Sequence, residues 1–161
     1  CAGAGGKALA LASKYDKTIF AHDVVKNRMS DIPIRARRAN ARIKIIKNNN
    51  LIKNYYGLVF ADVPCSGTGS WRRDPAGKWL LSELALSSLV KDQSKIINHA
   101  SSLVRIGGFF VYATCSVLKR ENSEQIDFFL KKQKSWKVIK KRQLLPTNFS
   151  DGFFYCYLQK C

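Results

Sequence analysis

The sequence predicts an α/β fold, and three observations support this prediction. Apolar runs alternate with amphipathic stretches along the 161 residues, as strands and helices alternate in α/β domains. Residues 57–61 are continuously apolar, which is typical of a buried parallel strand. Hydrophobic residues make up 46% of the chain, which is enough for a packed core. We therefore expect a single α/β domain over residues 1–161.

The first third of the chain is expected to contain two helices and a short strand. A glycine-rich turn opens a predicted helix over residues 1–15, and residues 18–22 form a predicted strand. Residues 32–42 place apolar side chains at helical spacing, with Asp31 as a candidate N-cap and Pro33 in the first turn, where proline is tolerated.

The rest of the chain continues this alternation. Apolar, β-branched and aromatic runs predict strands at residues 43–46, 57–61, 109–113, 136–139 and 153–158. Amphipathic stretches predict helices at residues 83–104 and 122–132.

Polar and reactive side chains follow three of the predicted strands. Asp23, Asp62 and Cys115 each stand at the carboxyl end of a strand. In open α/β sheets, ligands bind beyond the carboxyl ends of the strands. The sequence therefore predicts a functional site at this end of the sheet.

The glycine-rich start is typical of a turn that passes close to a ligand. Asp23 follows it at about the spacing of an acid that bonds ribose hydroxyls. The pattern is not a phosphate-binding Walker loop, because Ala8 rather than Ser or Thr follows Lys7. An ordinary glycine turn with a helix-capping acid remains an alternative.

A carboxylate and two thiols offer acid–base and nucleophilic chemistry. Asp62 and Cys65 lie three residues apart after one strand, and Cys115 follows another. The alternative for a lone cysteine is a structural role in the core. A disulfide between Cys65 and Cys115 is geometrically conceivable, but a reducing compartment argues against it.

Charge and cysteine usage narrow the classes of partner. The chain has 28 Lys and Arg against 11 acidic residues, a net charge of +17, which suits a polyanion such as a nucleic acid. The same charge is also expected if the sequence is simply biased toward basic residues on its solvent-exposed faces.

The five cysteines form no C-x-x-C pair, so we expect no metal site and a reducing, cytoplasmic setting. No apolar stretch approaches the roughly 20 residues of a membrane helix.

Several ordered motifs resemble those of the Sun-family RNA (cytosine-5)-methyltransferases. The resemblance covers essentially the whole chain and begins at residues 1–7, where Gly3 and Ala4 depart from the family's Asp-x-Cys-Ala-Ala-Pro-Gly-Gly-Lys loop. The other matching segments are Asp-Val-Pro-Cys-Ser-Gly-Thr-Gly at 62–69, Arg-Arg-Asp-Pro at 72–75 with Lys78 and Trp79, Tyr-Ala-Thr-Cys-Ser-Val-Leu at 112–118, Glu-Asn-Ser at 121–123 and Asp-Gly-Phe-Phe at 151–154.

This resemblance implies a fold and a reaction. The fold is the Rossmann-like sheet of class I S-adenosylmethionine-dependent methyltransferases, with helices on both faces. The reaction is methyl transfer from S-adenosylmethionine to carbon 5 of a cytosine in RNA, with 16S ribosomal RNA as the expected substrate. We expect a monomeric enzyme that binds no membrane.

The resemblance also implies roles for individual residues. Cys115 is the implied nucleophile and attacks ring carbon C6 as a thiolate, because C5 becomes nucleophilic only after this addition. Cys65 is expected to help resolve the adduct, and Asp62 to hold the cytosine edge near N3. The reactive form is the thiolate, so we expect a lowered pKa for Cys115.

The same resemblance implies which residues contact the cofactor and the RNA. Asp23 is expected on the ribose, and Asn48 stands where the family usually has an acid near the adenine. The full set implied to bind the cofactor is Cys1, Ala2, Gly3, Ala4, Gly5, Gly6, Lys7, Asp23, Asn48 and Asp62. RNA contacts are expected from Arg72, Arg73 and Lys78, with Trp71 and Trp79 either stacking on RNA or packing within the protein.

Departures from the family pattern leave alternatives open. The family has a strand and an Asp before the position of Cys1, so we expect the first strand and the N-terminal RNA-binding regions to be missing. A sheet without that strand would expose two buried edges. One alternative is therefore a truncated, inactive remnant that binds RNA non-specifically. A nicotinamide-dependent oxidoreductase leaves the strand-end cysteines unexplained, and DNA methyltransferases lack the Thr-Cys-Ser motif.

Overall fold

The computed structural model describes residues 1–46 and 50–161. The chain divides into two compact units, Cys1–Leu51 and Ile52–Cys161. No helix in the described ranges is both long and apolar enough to cross a membrane.

The first unit pairs two short parallel strands with two short helices. Its elements are α1 (Gly6–Ala12), β1 (Ile19–Ala21), a 3-10 helix (Lys26–Met29), α2 (Ile32–Arg38) and β2 (Ile43–Ile45). Strand β1 lies parallel to β2. A small core of Ala21, Met29 and Ile32 holds the unit together, with Ala2 and Ile43 packed against it.

Both helices of this unit end earlier than the spacing predicts. Helix α2 stops at Arg38 because the backbone of Asn40 turns into the left-handed region, with φ of 47°, a common way to end a helix. The expected side-chain cap from Asp31 is wrong. The backbone of Asp31 is already helical, with φ of −83° and ψ of −15°, whereas a capping side chain needs an extended backbone.

The second unit contains a four-stranded mixed sheet. Its elements are β3 (Tyr56–Asp62), a 3-10 helix (Thr68–Ser70), α3 (Gly77–Leu80), α4 (Glu83–Ser102), β4 (Val104–Thr114), a 3-10 helix (Lys119–Glu121), α5 (Ser123–Lys132), β5 (Trp136–Leu144) and β6 (Phe153–Lys160). The strand order is β3-β4-β6-β5. Strands β3 and β4 are parallel, and β6 runs antiparallel to both of its neighbours.

The core of this unit lies between the sheet and two helices. Alternating residues of β4 and β6, such as Phe110, Tyr112 and Leu158, are fully buried against Ile97 of α4 and Ile126 of α5. Helix α4 begins where the Ser82 hydroxyl accepts a hydrogen bond from the Ala85 N–H at 3.1 Å. This packing fixes the sheet that carries Asp62 and Cys115.

Two strands are longer than predicted, for different reasons. Strand β4 begins at Val104 rather than at residue 109, because a bulge lets it pass Gly107, whose φ is +74°. Strand β5 continues to Leu144 through Lys140 and Arg142. It is an edge strand, where exposed basic side chains are common and no apolar alternation reveals the strand.

The predicted Rossmann-like α/β architecture is confirmed. Parallel strands are joined through a helix, and an antiparallel strand completes the sheet. The carboxyl ends of β3 and β4 are therefore neighbours, because parallel strands end on the same side of a sheet.

Candidate active site

The pairing of β3 with β4 brings the two strand-end cysteines together. Asp62 stands opposite Ala113 in the register, and the next residue in the chain, Val63, donates its N–H to the Ala113 carbonyl at 3.0 Å. The loops that follow each strand thus start side by side. The Sγ atoms of Cys65 and Cys115 lie 3.3 Å apart, and both thiols are free.

The two thiols polarise each other. The hydrogen bond from the Cys65 thiol lowers the pKa of Cys115 to about 6, although burial opposes this, and the Ser70 hydroxyl adds to the lowering. The same hydrogen bond, followed by burial, raises the pKa of Cys65. These opposite shifts make Cys115 the thiol that ionises more readily, with Cys65 as its hydrogen-bond partner.

Asp62 lies close enough to Cys115 to affect its charge. The carboxylate of Asp62 opposes ionisation of Cys115 and raises its pKa, but less than the Cys65 hydrogen bond lowers it. Cys115 is partly accessible, as a nucleophile must be. The arrangement joins two thiols and a carboxylate at the ends of two strands.

A buried carboxylate that sequence reasoning did not select connects the cysteine loops. Glu121 is fully buried and accepts hydrogen bonds from Ser66 and Ser116, the residues that follow Cys65 and Cys115. Its place in the Glu-Asn-Ser motif was the only available signal, because nothing in the local sequence indicates that this Glu is buried.

In the first unit, the glycine loop and Asp23 form a second cluster. Asp23 is buried, and its carboxylate accepts the N–H of Gly3 at 3.0 Å and the N–H of Val25 at 2.9 Å. Burial works against its charge, but these two N–H groups hold the pKa of Asp23 below its ordinary value. The Asp23 carboxylate thus lies beside the glycine loop.

Glycines shape this loop where the backbone requires them. Gly5 has φ of +82°, and a Cβ there would lie 2.8 Å from the Ile32 side chain. Gly3 and Gly6 face open space, since a Cβ on either would meet no atom within 4 Å.

A backbone that faces open space next to a buried carboxylate is suited to binding a nucleoside. A carboxylate has about four acceptor positions, and the loop uses two of those on Asp23. The expected cofactor therefore fits these residues. Lys7 is exposed in the first turn of α1, and Asn48 lies outside the described residues.

The residues predicted to contact RNA lie around α3. Arg72 and Arg73 are exposed but pair with Asp151, at 3.2 and 2.6 Å. Lys78 is exposed, with its Nζ 5.5 Å from the ring centre of Trp79. Trp79 is 83% exposed, so it does not pack in the core.

Comparisons with known proteins point to one family. The family model described as 16S rRNA methyltransferase RsmB/F matches residues 1–159. The ribosomal RNA small subunit methyltransferase B of Proteus mirabilis is 30% identical over 168 residues, covering 99% of this chain and 40% of that protein. The chain thus spans about two fifths of the length of the curated relatives it matches.

Solved structures agree with this fold. The crystal structure of PH0851 matches with a TM-score of 0.91 and 27% identity, covering 98% of this chain and 41% of that one. The structure of NSun6 from Pyrococcus horikoshii with SFG matches with a TM-score of 0.81 and 22% identity, covering 99% of this chain and 46% of that one.

Proposed function

We propose, since the chain belongs to the 16S rRNA methyltransferase RsmB/F family, that it methylates carbon 5 of a cytosine in ribosomal RNA. The observation that carries the proposal is the pair of thiols, whose Sγ atoms lie 3.3 Å apart, and this contact lowers the pKa of Cys115. Carbon 5 of cytosine is a poor nucleophile until a group adds at C6. A partly accessible thiolate supplies such a group.

Cys115 opens the reaction. Its Sγ forms a bond to C6, and the electron pair of the C5–C6 double bond moves toward C5 and N3. Asp62 stands at the end of β3, where its carboxylate can accept a hydrogen bond from N3–H once the more basic N3 has taken up a proton from solvent. That proton returns to solvent when the aromatic ring is restored. C5 is then nucleophilic and ready to form a bond to a methyl group.

Cys65 completes the reaction. Its pKa is raised chiefly because its thiol donates a hydrogen bond to the neighbouring Cys115 sulfur, which carries the negative charge. Once that sulfur is bonded to C6, its negative charge is gone and Cys65 can lose its proton to solvent. The Cys65 thiolate can then accept the C5 proton. The electrons of the C5–H bond re-form the C5–C6 double bond, and the Cys115 Sγ leaves as a thiolate.

The glycine loop and Asp23 would hold the methyl donor. The residues proposed for this role in the first unit are Cys1, Ala2, Gly3, Ala4, Gly5, Gly6, Lys7 and Asp23. S-adenosylmethionine supplies the transferred methyl group, and the relative solved with SFG, an analogue of S-adenosylmethionine, supports this choice. Asp23 retains acceptor capacity for ribose hydroxyls.

The roles of the two cysteines can be distinguished by whether each variant forms a covalent adduct with RNA. The full-length Cys65→Ala variant should accumulate a protein–RNA adduct, because Cys115 can still attack C6 while resolution is impaired. The assay uses mildly alkaline pH, because losing the Cys65 hydrogen bond raises the pKa of Cys115. Cys115→Ala should form neither adduct nor 5-methylcytosine, and the exposed Cys161→Ser variant should behave as wild type. Denaturing gels with labelled RNA measure the adduct, and nucleoside mass spectrometry measures the product. Methylation by Cys115→Ala would refute the assignment.

A further inference from the structure

Glu121 is a buried acid whose carboxylate meets only hydrogen-bond donors. Its Oε1 accepts the Ser66 N–H at 2.8 Å and the Gln93 Nε2 at 2.9 Å. Its Oε2 accepts the hydroxyls of Ser66 and Ser116, each at 2.5 Å. The side chain has no exposed surface.

No Lys or Arg in the described ranges forms an ion pair with this carboxylate. Burying a charge without compensation is costly. Here four hydrogen bonds from neutral donors reach the Glu121 carboxyl group, which has about four acceptor positions.

The donors to Glu121 belong to both cysteine loops. Ser66 follows Cys65 directly, and Ser116 follows Cys115 directly. The Gln93 Nε2 also donates to the carbonyl of Pro64 at 2.9 Å, so it braces the residue before Cys65. One carboxylate thus ties together the two segments whose thiols lie 3.3 Å apart.

The backbone of Glu121 is also held by a hydrogen bond. The Tyr112 hydroxyl donates to the backbone carbonyl of Glu121 at 2.6 Å. Since Tyr112 lies in the core of β4, this bond anchors the backbone of Glu121 to the sheet.

We propose that Glu121 is a positioning residue that clamps Ser66 to Ser116 and thereby holds Cys65 against Cys115 for catalysis. The inference rests on the proposed function of the two cysteines. Glu121 touches neither substrate nor cofactor in this role. It acts through the spacing of the thiols.

A consequence can be measured without RNA. The Cys65 hydrogen bond is the main reason that the pKa of Cys115 falls to about 6. When the loops separate, that hydrogen bond weakens and the pKa of Cys115 rises toward the ordinary value for cysteine. The alkylation rate of Cys115 follows its thiolate fraction, so its pH midpoint reports the spacing.

Two neutral replacements of Glu121 separate geometry from charge. Glu121→Gln and Glu121→Ala remove the same negative charge, so any direct electrostatic effect on Cys115 is equal in both. The Gln side chain keeps one oxygen acceptor and can donate to the serine hydroxyls, whereas the Ala side chain can form no hydrogen bond. We expect Gln to leave the midpoint near its wild-type value and Ala to raise it by about one pH unit or more.

The experiment uses the full-length protein. Iodoacetamide labelling across a pH series, followed by mass spectrometry of the peptide that contains Cys115, gives each midpoint. Tyr112→Phe is the matched control, because it removes a buried hydrogen bond to the same residue but not to its carboxylate. It should lower stability without moving the midpoint.

The outcomes decide between this role and a purely structural one. Equal midpoints for Glu121→Gln and Glu121→Ala would overturn the proposal, as would an equal rise in Tyr112→Phe. If Glu121→Ala does not fold, Ser116→Ala removes one arm of the clamp and should raise the midpoint in the same direction. An unchanged midpoint there would also overturn the proposal.

This test is independent of the methylation assay. If wild-type protein makes no 5-methylcytosine, the proposed function fails, yet the midpoints still report whether Glu121 sets the thiol spacing. If methylation occurs and the midpoints do not differ, only the role of Glu121 fails.

Discussion

Asp23 shows how a single buried carboxylate can organise a glycine-rich loop. It accepts backbone N–H groups from both sides, at Gly3 and at Val25, so one residue joins the glycine loop to the end of β1. Asn cannot replace it, because a side-chain amide offers only one oxygen acceptor and turns a donor toward the other N–H.

The first prediction concerns this carboxylate. Asp23→Asn should weaken S-adenosylmethionine binding roughly ten- to hundredfold, because a hydrogen bond to a charged group contributes about 1.5–3 kcal/mol. Isothermal titration calorimetry measures the affinity. Asp31→Asn removes the same charge at an exposed position of the same unit and should bind normally. Equal affinities of the two variants would contradict the ribose role of Asp23.

Among the secondary-structure elements, the 3-10 helix Thr68–Ser70 controls how closely three segments approach. Gly69 donates its N–H to the Cys115 carbonyl at 2.9 Å and accepts the Gly152 N–H at 2.8 Å. A Cβ on Gly69 would lie 2.5 Å from the Gly152 carbonyl oxygen and 2.8 Å from that of Cys115. Only glycine permits this approach, since the neighbouring atoms are backbone and cannot rotate away.

The second prediction therefore concerns Gly69. Gly69→Ala should lower the free energy of unfolding by about 1–3 kcal/mol, the usual cost of overpacking. Gly6→Ala is the matched control, because a Cβ there meets nothing within 4 Å and its φ is ordinary. It should be neutral or stabilising by up to about 1 kcal/mol. Urea unfolding monitored by circular dichroism measures both, and equal stabilities would show that the close approach is relaxed in solution.

At the scale of the whole molecule, the net charge of +17 is consistent with a family described as 16S rRNA methyltransferases. Lys and Arg that neutralise phosphates release counterions, so RNA affinity should fall as salt rises. Arg72 and Arg73 already share Asp151, whose pKa the two arginines lower, chiefly Arg73. Their pairing orients both guanidinium groups without removing their net positive charge.

The third prediction tests whether these arginines bind RNA. Changing both Arg72 and Arg73 to Gln should weaken RNA binding and reduce the slope of log affinity against log salt by about one for each phosphate that is no longer neutralised. Fluorescence anisotropy over a salt series measures the slope. Changing Lys14 and Lys17 to Gln removes the same charge from exposed positions of the first unit and should change the slope less. Identical slopes for the two double variants would mean that only overall charge matters.

The local sequence pattern was sufficient to predict most of the strands and helices. Hydrophobic runs mark β3 and β6, and helical spacing marks α4 and α5, because these elements bury one face or both against the same core. It was insufficient for β5, whose exposed basic residues show no alternation, and for the cap of α2, where backbone geometry overrides the residue type.

The sequence by itself determined the order of elements and the presence of an acid and two cysteines at strand ends, because these depend on neighbouring residues. Only the tertiary structure decided that the Cys65 and Cys115 thiols lie 3.3 Å apart, and that Glu121 is buried and bonded to the residues that follow them. Both depend on interactions between segments about 50 residues apart in the chain. The opposite pKa shifts of the two thiols, which support the proposed nucleophile and proton carrier, therefore arise from packing rather than from composition.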